Sequence, residues 1–523
     1  MQARVFGNHK LGIPYEPIAE LFAKYRARDP NKTAIVDLDG DSSITFGELE
    51  QITTDIAADL KRRGVKKGDR VLLLSDECLE KLLIWFGAWR IGAVICPLNI
   101  EINEKMMVEL TGSVNPKLIF CHKDLDMAAL VGEHPTPRLR FGRWRTAAVP
   151  QGEFFAELQR GCKSDEAPER NNPEDIACVF CTSGTTARPK VVVYDHCAYW
   201  LNGLSTLEFL GLTEDDRTLE YRSFGWNSAQ VLSLMPFLEK GVTMHIAKRF
   251  SHSRFFEWIK TYGITFSAGV PTVLNMLLHK PLGFTAKDVP TLRLMTCSTA
   301  PLTAQQWTQF EEMYGVKLLQ CYGMSEAGWV CGNRTYKNKI GTVGVPALHQ
   351  EFAIVGADGN SVAVGIEGEI TAGGPHTAIG YLRDDGTIEP IRPARIKTGD
   401  LGIMDKEGFV RVSGRTKDLI IRGGVNVAPL EIDEVLLKHP GILDAAAVGV
   451  PDKIYGEEIA CYVVPKDRNL TEASVLEHAR QHLPPAKMPK QVLIVAELPK
   501  SDRGKVLRDK LREDWFKRMG ISA

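Results

Sequence analysis

Several things are scarce in this sequence, and each scarcity excludes a class of protein. Net charge is almost absent: 64 Lys and Arg stand against 65 Asp and Glu in 523 residues. There is no basic footprint for nucleic acid or for an anionic membrane surface. No apolar run approaches the roughly 20 residues that cross a bilayer, and the opening MQARVFGNHK lacks the apolar core of a secretory signal. The eleven cysteines, an odd number scattered along a long chain, have the pattern of reduced cytosolic thiols rather than a disulfide framework. Cys178 and Cys181 form a lone CxxC with no second pair, which argues against a metal site there. These absences lead us to expect a cytoplasmic protein with no membrane span and no nucleic-acid partner. A chain this long exceeds a single hydrophobic core, so two or more domains are expected.

What is present is organised around residues 182–190, TSGTTARPK. The apolar, β-branched run 176–181 before it reads as a buried strand. Thr182, Ser183, Gly184, Thr185 and Thr186 then offer hydroxyl and amide donors, with Gly184 allowing close approach of backbone to a ligand and Lys190 adding positive charge. That chemistry suits phosphate oxygens. It is not a Walker A loop, because Pro189 stands where Gly is needed and Val191 where Ser or Thr is needed.

Along the chain, residues 45–63 open with a Thr45–Glu48 capping box and run amphipathically as a helix. Residues 70–74 and 93–97 read as strands around a Leu- and Trp-rich helix at 79–91 that Gly92 ends. Repeating βα units of this kind imply a largely parallel sheet covered by helices. Residues 135–173 are charged and weakly periodic and read as a surface excursion. Residues 202–212 read as a short helix, and 243–247, 266–269, 292–297 and 316–321 as strands. Two strand ends, STAPL at 298–302 and YGMSE at 322–326, are placed to meet the phosphate loop, since ligands of open α/β sheets sit beyond the carboxyl ends of strands. From Gly341 short Gly-rich strands indicate a β-rich subdomain. About 100 residues at the end have the size and pattern of a small separate domain.

In this order, TSGTTARPK, YGMSE, KTGD, GRTKDLIIRGGVNVAPLEIDEVL and PKSDRGKVLR resemble the adenylate-forming superfamily of acyl-CoA synthetases, luciferases and peptide-synthetase adenylation domains. Weaker matches at TFGELEQ, GAVICPLN, GTVGVP and GYL extend the resemblance over nearly the whole chain. It implies an α/β fold with a large N-terminal adenylation domain (1–416) of mixed and parallel sheets with helices plus a β-rich subdomain. A small mobile C-terminal α+β domain (417–523) would carry the catalytic lysine. It also implies ATP, Mg²⁺ and CoA as cofactors and co-substrates, a small-molecule carboxylic acid as partner, and a homodimer among the assemblies to consider.

The implied chemistry makes an acyl-adenylate and pyrophosphate, then passes the acyl group to a thiol. The attacking carboxylate is already ionised at neutral pH, so positioned cations rather than a general base should dominate. By resemblance Lys505 bridges the carboxylate and the α-phosphate, and Lys190 serves the phosphate loop. Glu326 helps hold Mg²⁺, and the Ser325 hydroxyl reaches the α-phosphate. Tyr322 stacks on adenine beside Gly323, Ala300 and Pro301. Asp400 and Arg415 meet the ribose, and Lys417 is the hinge. Gly423 and Gly424 line the CoA path.

Departures from the family pattern bear on the acid. Phe224-Gly225-Trp226 stands where many relatives carry Phe-His. Gly225 supplies no carboxylate for an amino-acid ammonium, and Trp226 can close a pocket. Ser298 and Thr299 replace the glycines of a common pocket floor, shortening the pocket and tolerating a polar substrate; Met324 lies beside it. Met276 stands where malonate-type ligases carry Arg. Arg222 is a candidate receiver for a second anionic group, against its reading as a solvated arginine. The expectation is an AMP-forming ligase for a small acid, polar ones included. Loading of a carrier-protein pantetheine, a non-catalytic nucleotide-binding role and a light-emitting role stay open as alternatives.

Overall fold

The computed structural model describes residues 13–145, 153–161, 171–182, 189–300, 302–466, 469–501 and 505–520, without the side chains of 160 and 161. Two large mixed sheets dominate. In the eight-stranded sheet, Arg70–Leu74 lies between Val94–Pro97 and Leu118–His122, all parallel, and the phosphate-loop strand Ile176–Cys181 continues beside Val94–Pro97. Val191–Asp195 then turns back antiparallel and takes Gly380–Leu382 on its far side. In the nine-stranded sheet, Arg217–Glu220, Phe266–Ser267, Leu294–Cys297 and Lys317–Met324 run parallel, so their carboxyl ends line up along one edge.

Between the sheets lies one large core, and its helices explain themselves. Phe46–Arg62 begins with the expected reciprocal cap, Glu48 N–H donating to Thr45 Oγ1 at 3.3 Å and Thr45 N–H to Glu48 Oε2 at 3.0 Å. Every residue of Leu79–Arg90 is buried, as expected for a helix without a polar stripe. Gly87 lets it press on its neighbour, since a β-carbon there would fall 2.4 Å from Ile56 Cγ2.

Two expectations are corrected. The helix read at 202–212 is His196–Leu210, capped by Asp195 accepting from Ala198 N–H at 2.8 Å. Its first turn, HCAYW, is wholly buried and so shows no amphipathic period to betray it. The stretch 135–173 is not only a surface excursion. It contributes the edge strand Arg138–Phe141 and the helix Phe154–Gly161, whose Phe154 and Phe155 are each 1% exposed. Both elements are too short for periodicity to register.

Residues beyond Gly341 form a four-stranded antiparallel sheet that includes Gly368–Ala372, Ile396–Met404 and Val410–Arg415. After the 3-10 turn Thr416–Asp418 comes a separate sheet built on the long antiparallel pair Ile442–Asp452 and Gly456–Pro465. Helices Pro429–Leu436 and Glu472–His482 cover one face and Arg508–Met519 the other. The chain is therefore α/β with a small α+β segment at its end. Among the described residues, no helix is long and apolar enough to cross a membrane.

Candidate functional site

The phosphate loop is held at its base. Strands Ile176–Cys181 and Val191–Asp195 are hydrogen-bonded neighbours, and the ladder is extended by Thr182 N–H to the Lys190 carbonyl at 2.8 Å and Lys190 N–H to Thr182 Oγ1 at 3.1 Å. Ser183, Gly184, Thr185 and Thr186 lie outside the described residues, as does Pro301. The Lys190 side chain crosses to Tyr381, its ammonium 4.7 Å from the ring centroid and 3.5 Å from the hydroxyl. That hydroxyl donates to Glu326 Oε1 at 3.0 Å. Ser325 and Glu326 occupy the turn between Lys317–Met324 and Gly328–Gly332. The turn is tight because Gly323 is a glycine: a β-carbon there would meet the Gly328 carbonyl oxygen at 2.4 Å.

A second group forms beside this one. Tyr322 donates its hydroxyl to Asp400 Oδ2 at 2.6 Å, and Arg415 Nε lies 2.9 Å from Asp400 Oδ1. Asp400 and Arg415 are direct cross-strand partners, which is why residues 15 apart in sequence meet. Burial, and then the Asp400 charge, push the Tyr322 hydroxyl well up, so it acts as a donor. Met324 packs instead on the small cluster under this hairpin, with Ala327, Val330 and Ile370.

Lys505, near the end of the chain, is half-buried and feels the charges of Arg415, Asp400, Asp418 and Lys417. Its ammonium is pulled down to about 8, first by burial and then by the Arg415 charge, with Asp400 opposing. Its backbone is pinned by Ser501 N–H donating to the Lys505 carbonyl at 2.8 Å. The helix that follows is anchored by a buried ion pair between Arg508 and Asp433. Lys417 is exposed, 3.9 Å from the Asp509 carboxylate. Gly423 and Gly424, with φ of 57° and 83°, make the turn of the hairpin Ile420–Arg422 and Val425–Val427. Both are exposed, and among the described residues nothing lies within 4 Å of a β-carbon built on Gly424.

The acid-side residues sit at the carboxyl ends of the nine-stranded sheet. Gly225 passes so close to the neighbouring sheet that a β-carbon would stand 3.0 Å from the Pro97 carbonyl oxygen and 3.1 Å from Asn99 N. Ser223 ties the same loop down, accepting from Gly225 N–H at 3.1 Å and donating to Glu77 Oε1 at 2.9 Å. Glu77 is paired at 2.7 Å with Lys81, which is fully buried. Trp226, half-buried, is carried on this loop. Ser298 is 2% exposed, with its hydroxyl unpartnered among the described residues. Thr299, at φ 77°, is a β-branched residue in the left-handed region, a strained backbone of the kind that gathers at ligand sites; Ala300 follows it, half-buried.

Arg222 requires a correction. It is not a solvated arginine: it is half-buried against Glu220, and its Nη1 is buried with no hydrogen-bond partner among the described residues. Its Nη2 lies 2.6 Å and its Nε 2.9 Å from the fully buried Glu220, which also accepts from Ser233 at 2.7 Å. A bidentate carboxylate neutralises the guanidinium.

The sequence reading missed Tyr381, Ser223, Glu77 and Lys81. A signal for Tyr381 lay in the GYL match, and Glu77 and Lys81 stand at i,i+4 spacing, but nothing local ties Ser223 to Glu77, 146 residues away. Among the described residues, no group of three or more His, Cys, Asp or Glu could hold a metal ion. Glu326 alone fits Mg²⁺ in the mode that uses one carboxylate with waters and substrate phosphates. A cavity of about 410 Å³, lined by Thr303, Ile340, Phe409, Arg411 and Lys438 among others, lies between the large and small parts of the chain and includes none of these site residues.

Known proteins supply an independent comparison. The family model described as AMP-binding enzyme matches residues 22–382, and that described as AMP-binding enzyme C-terminal domain matches 431–505. The feruloyl-CoA synthase of Amycolatopsis sp is 30% identical over 496 residues, covering 93% of this chain and 97% of that protein. The sulfoacetate–CoA ligase of Cupriavidus necator is 30% identical over 503 residues, covering 95% and 97%. Among solved structures, ATP-bound MatB from Rhodopseudomonas palustris is 28% identical with a TM-score of 0.85, covering 96% of this chain and 99% of that one.

Proposed function

This chain belongs to the AMP-binding enzyme family and is an AMP-forming acyl-CoA synthetase, and from that premise we propose how its residues divide the work. An oxygen of the substrate carboxylate attacks the α-phosphorus of ATP. The bond to the bridging oxygen breaks, pyrophosphate leaves with the electron pair, and the acyl-adenylate remains. The sulfur of CoA then attacks the acyl carbon, and AMP leaves.

The difficulty of the first step is that an anion approaches a polyanion, so fixed positive charge and oriented donors supply most of the acceleration. Lys505 bridges the incoming carboxylate and the α-phosphate. Lys190 and the donors of residues 182–186 take the outer phosphates, with Ser325 on the α-phosphate. Tyr322 stacks on adenine against Gly323, Ala300 and Pro301, while Asp400 and Arg415 hold the ribose. Glu326 is the residue that would hold Mg²⁺, whose chemistry is to neutralise phosphate charge. Residues 1–416 and 417–523 act as two units about Lys417, with Gly423 and Gly424 serving the CoA arm. The observation that supports this reading is the group in which Tyr322 donates to Asp400 at 2.6 Å and Arg415 pairs with the same carboxylate at 2.9 Å.

For the acid we propose a small monocarboxylate held by Trp226, Gly225, Ser298 and Thr299. Neutralisation of Arg222 by Glu220 disfavours a second anionic group there, and Met276, 36% exposed, offers no charge in its place. The buried Ser298 hydroxyl, Asn227 Nδ2 and Arg222 Nη1, without hydrogen-bond partners among the described residues, favour a neutral polar substituent, because unfilled hydrogen-bonding groups are costly to bury. Ten buried cysteines among the described residues, none in a disulfide, support a reducing, cytoplasmic setting. A homodimer is carried only by the resemblance, and sedimentation of the purified protein decides it.

The test is pyrophosphate release with ATP and Mg²⁺ across acetate, branched, aromatic, hydroxylated, dicarboxylic and sulfonated acids, with and without CoA. One acid class should give CoA-dependent turnover, and Lys505→Ala should lower it about 10²-fold or more. Silence for every acid while ATP still binds would contradict the proposal.

A further inference from the structure

Lys190 and Glu326 carry opposite charges on opposite sides of the same small space, yet Tyr381 stands between them. The tyrosine is fixed from both sides of its strand. Tyr381 pairs with Val192 on one neighbour, and Gly380 lies so close to the other that a β-carbon would fall 2.3 Å from the Glu389 carbonyl oxygen. Glu326 is tethered to the same segment twice, through its carbonyl, which accepts from Ala378 N–H at 2.8 Å, and through its carboxylate, which accepts from Tyr381 at 3.0 Å. Lys190 rests over the ring at 4.7 Å.

Lys190 is exposed and Glu326 half-buried, so direct contact between the ammonium and the carboxylate would make an ion pair at the rim of the site. The lysine would then be withheld from the nucleotide phosphates and the carboxylate from Mg²⁺, and breaking the pair would oppose binding. A cation resting on an exposed ring face is held more weakly and is surrendered more readily. The hydroxyl, meanwhile, orients the carboxylate without neutralising it.

Building on the roles given above to Lys190 and Glu326, we propose that Tyr381 is a positioning residue for nucleotide binding. Its ring parks the phosphate-loop lysine, its hydroxyl aims the carboxylate, and the side chain keeps the two apart until ATP arrives. Tyr381→Phe keeps the ring and loses the hydroxyl; Tyr381→Leu loses both and lets Lys190 collapse onto Glu326.

The measurements are equilibrium binding of ATP over a range of Mg²⁺ concentrations, KM for ATP and for the acid, and thermal unfolding to establish that each variant is folded. The Phe variant should weaken Mg²⁺-dependent ATP binding about tenfold, move the Mg²⁺ midpoint upward and leave the KM of the acid unchanged. The Leu variant should lose a further few-fold. A folded Phe variant with wild-type ATP affinity and Mg²⁺ midpoint overturns the proposal, as does an equal loss towards ATP and acid. Wild-type protein that binds no ATP would instead overturn the nucleotide reading on which it rests.

Discussion

Lys505 holds its charge against two forces, burial and the nearby Arg415 guanidinium, which together bring it down to about 8. The ammonium is therefore present below about pH 8 and lost above it, and with it the cation that we propose offsets charge on the α-phosphate. Pyrophosphate formation, followed as kcat/KM for ATP, should fall as pH rises through about 8, because that ratio reports the free enzyme. Bound ATP adds negative charge and favours the ammonium, so the same limb in kcat should lie at higher pH. Lys505→Ala should show no such limb; a variant that keeps it would assign the titration to another group. The identity of this lysine was legible in PKSDRGK, but its neighbours were not. Nothing in the order of residues says that the Arg415 charge acts on it, because Arg415 ends the strand Val410–Arg415 while Lys505 lies far along the chain, just before the helix Arg508–Met519.

At the scale of elements, the clearest case is the loop that carries Trp226. A single hydroxyl, that of Ser223, joins the Gly225 N–H to the buried Glu77–Lys81 pair across the junction of the two sheets. Ser223→Ala leaves the amide and the carboxylate each one bond short. Stability should fall by about 1–3 kcal/mol in denaturant titration. KM for the acid should rise while KM for ATP stays put, since the loop loosens on the acid side only. A rise shared by both substrates would count against this assignment. Strands with continuous apolar runs, such as Arg70–Leu74 and Ile176–Cys181, were readable to the residue, because burial on both faces leaves little else for such runs to be. Helix His196–Leu210 was readable only in its second half, since a fully buried first turn has no period. The ties that set the site, Tyr381 to Glu326 and Ser223 to Glu77, span 55 and 146 residues, and no local pattern encodes them.

For the molecule as a whole, the two ends of the small segment make different demands on one cleft. Lys505 is half-buried and feels the Arg415 and Asp400 charges, while the Gly423–Gly424 turn stands exposed on the same segment. Arg508, buried against Asp433 of helix Pro429–Leu436, ties the lysine-bearing end to the body of that segment. The hairpin bearing the glycines is joined to the same sheet through Arg422 opposite Gly456. Lysine and turn therefore belong to one body, and if both serve the reaction they serve it one after the other, with the exposed Lys417 turn as the hinge we propose. Gly424→Leu separates the two steps. The added side chain meets open space here, apart from the backbone strain of φ 83°, so acid-dependent exchange of pyrophosphate into ATP should stay within about twofold of wild type. When the turn enters the cleft to meet the thiol arm, the same side chain occupies room the arm needs, and CoA consumption should drop about tenfold or more. Equal loss of both half-reactions would mean that the small segment does not swing, and that both steps run in the arrangement described.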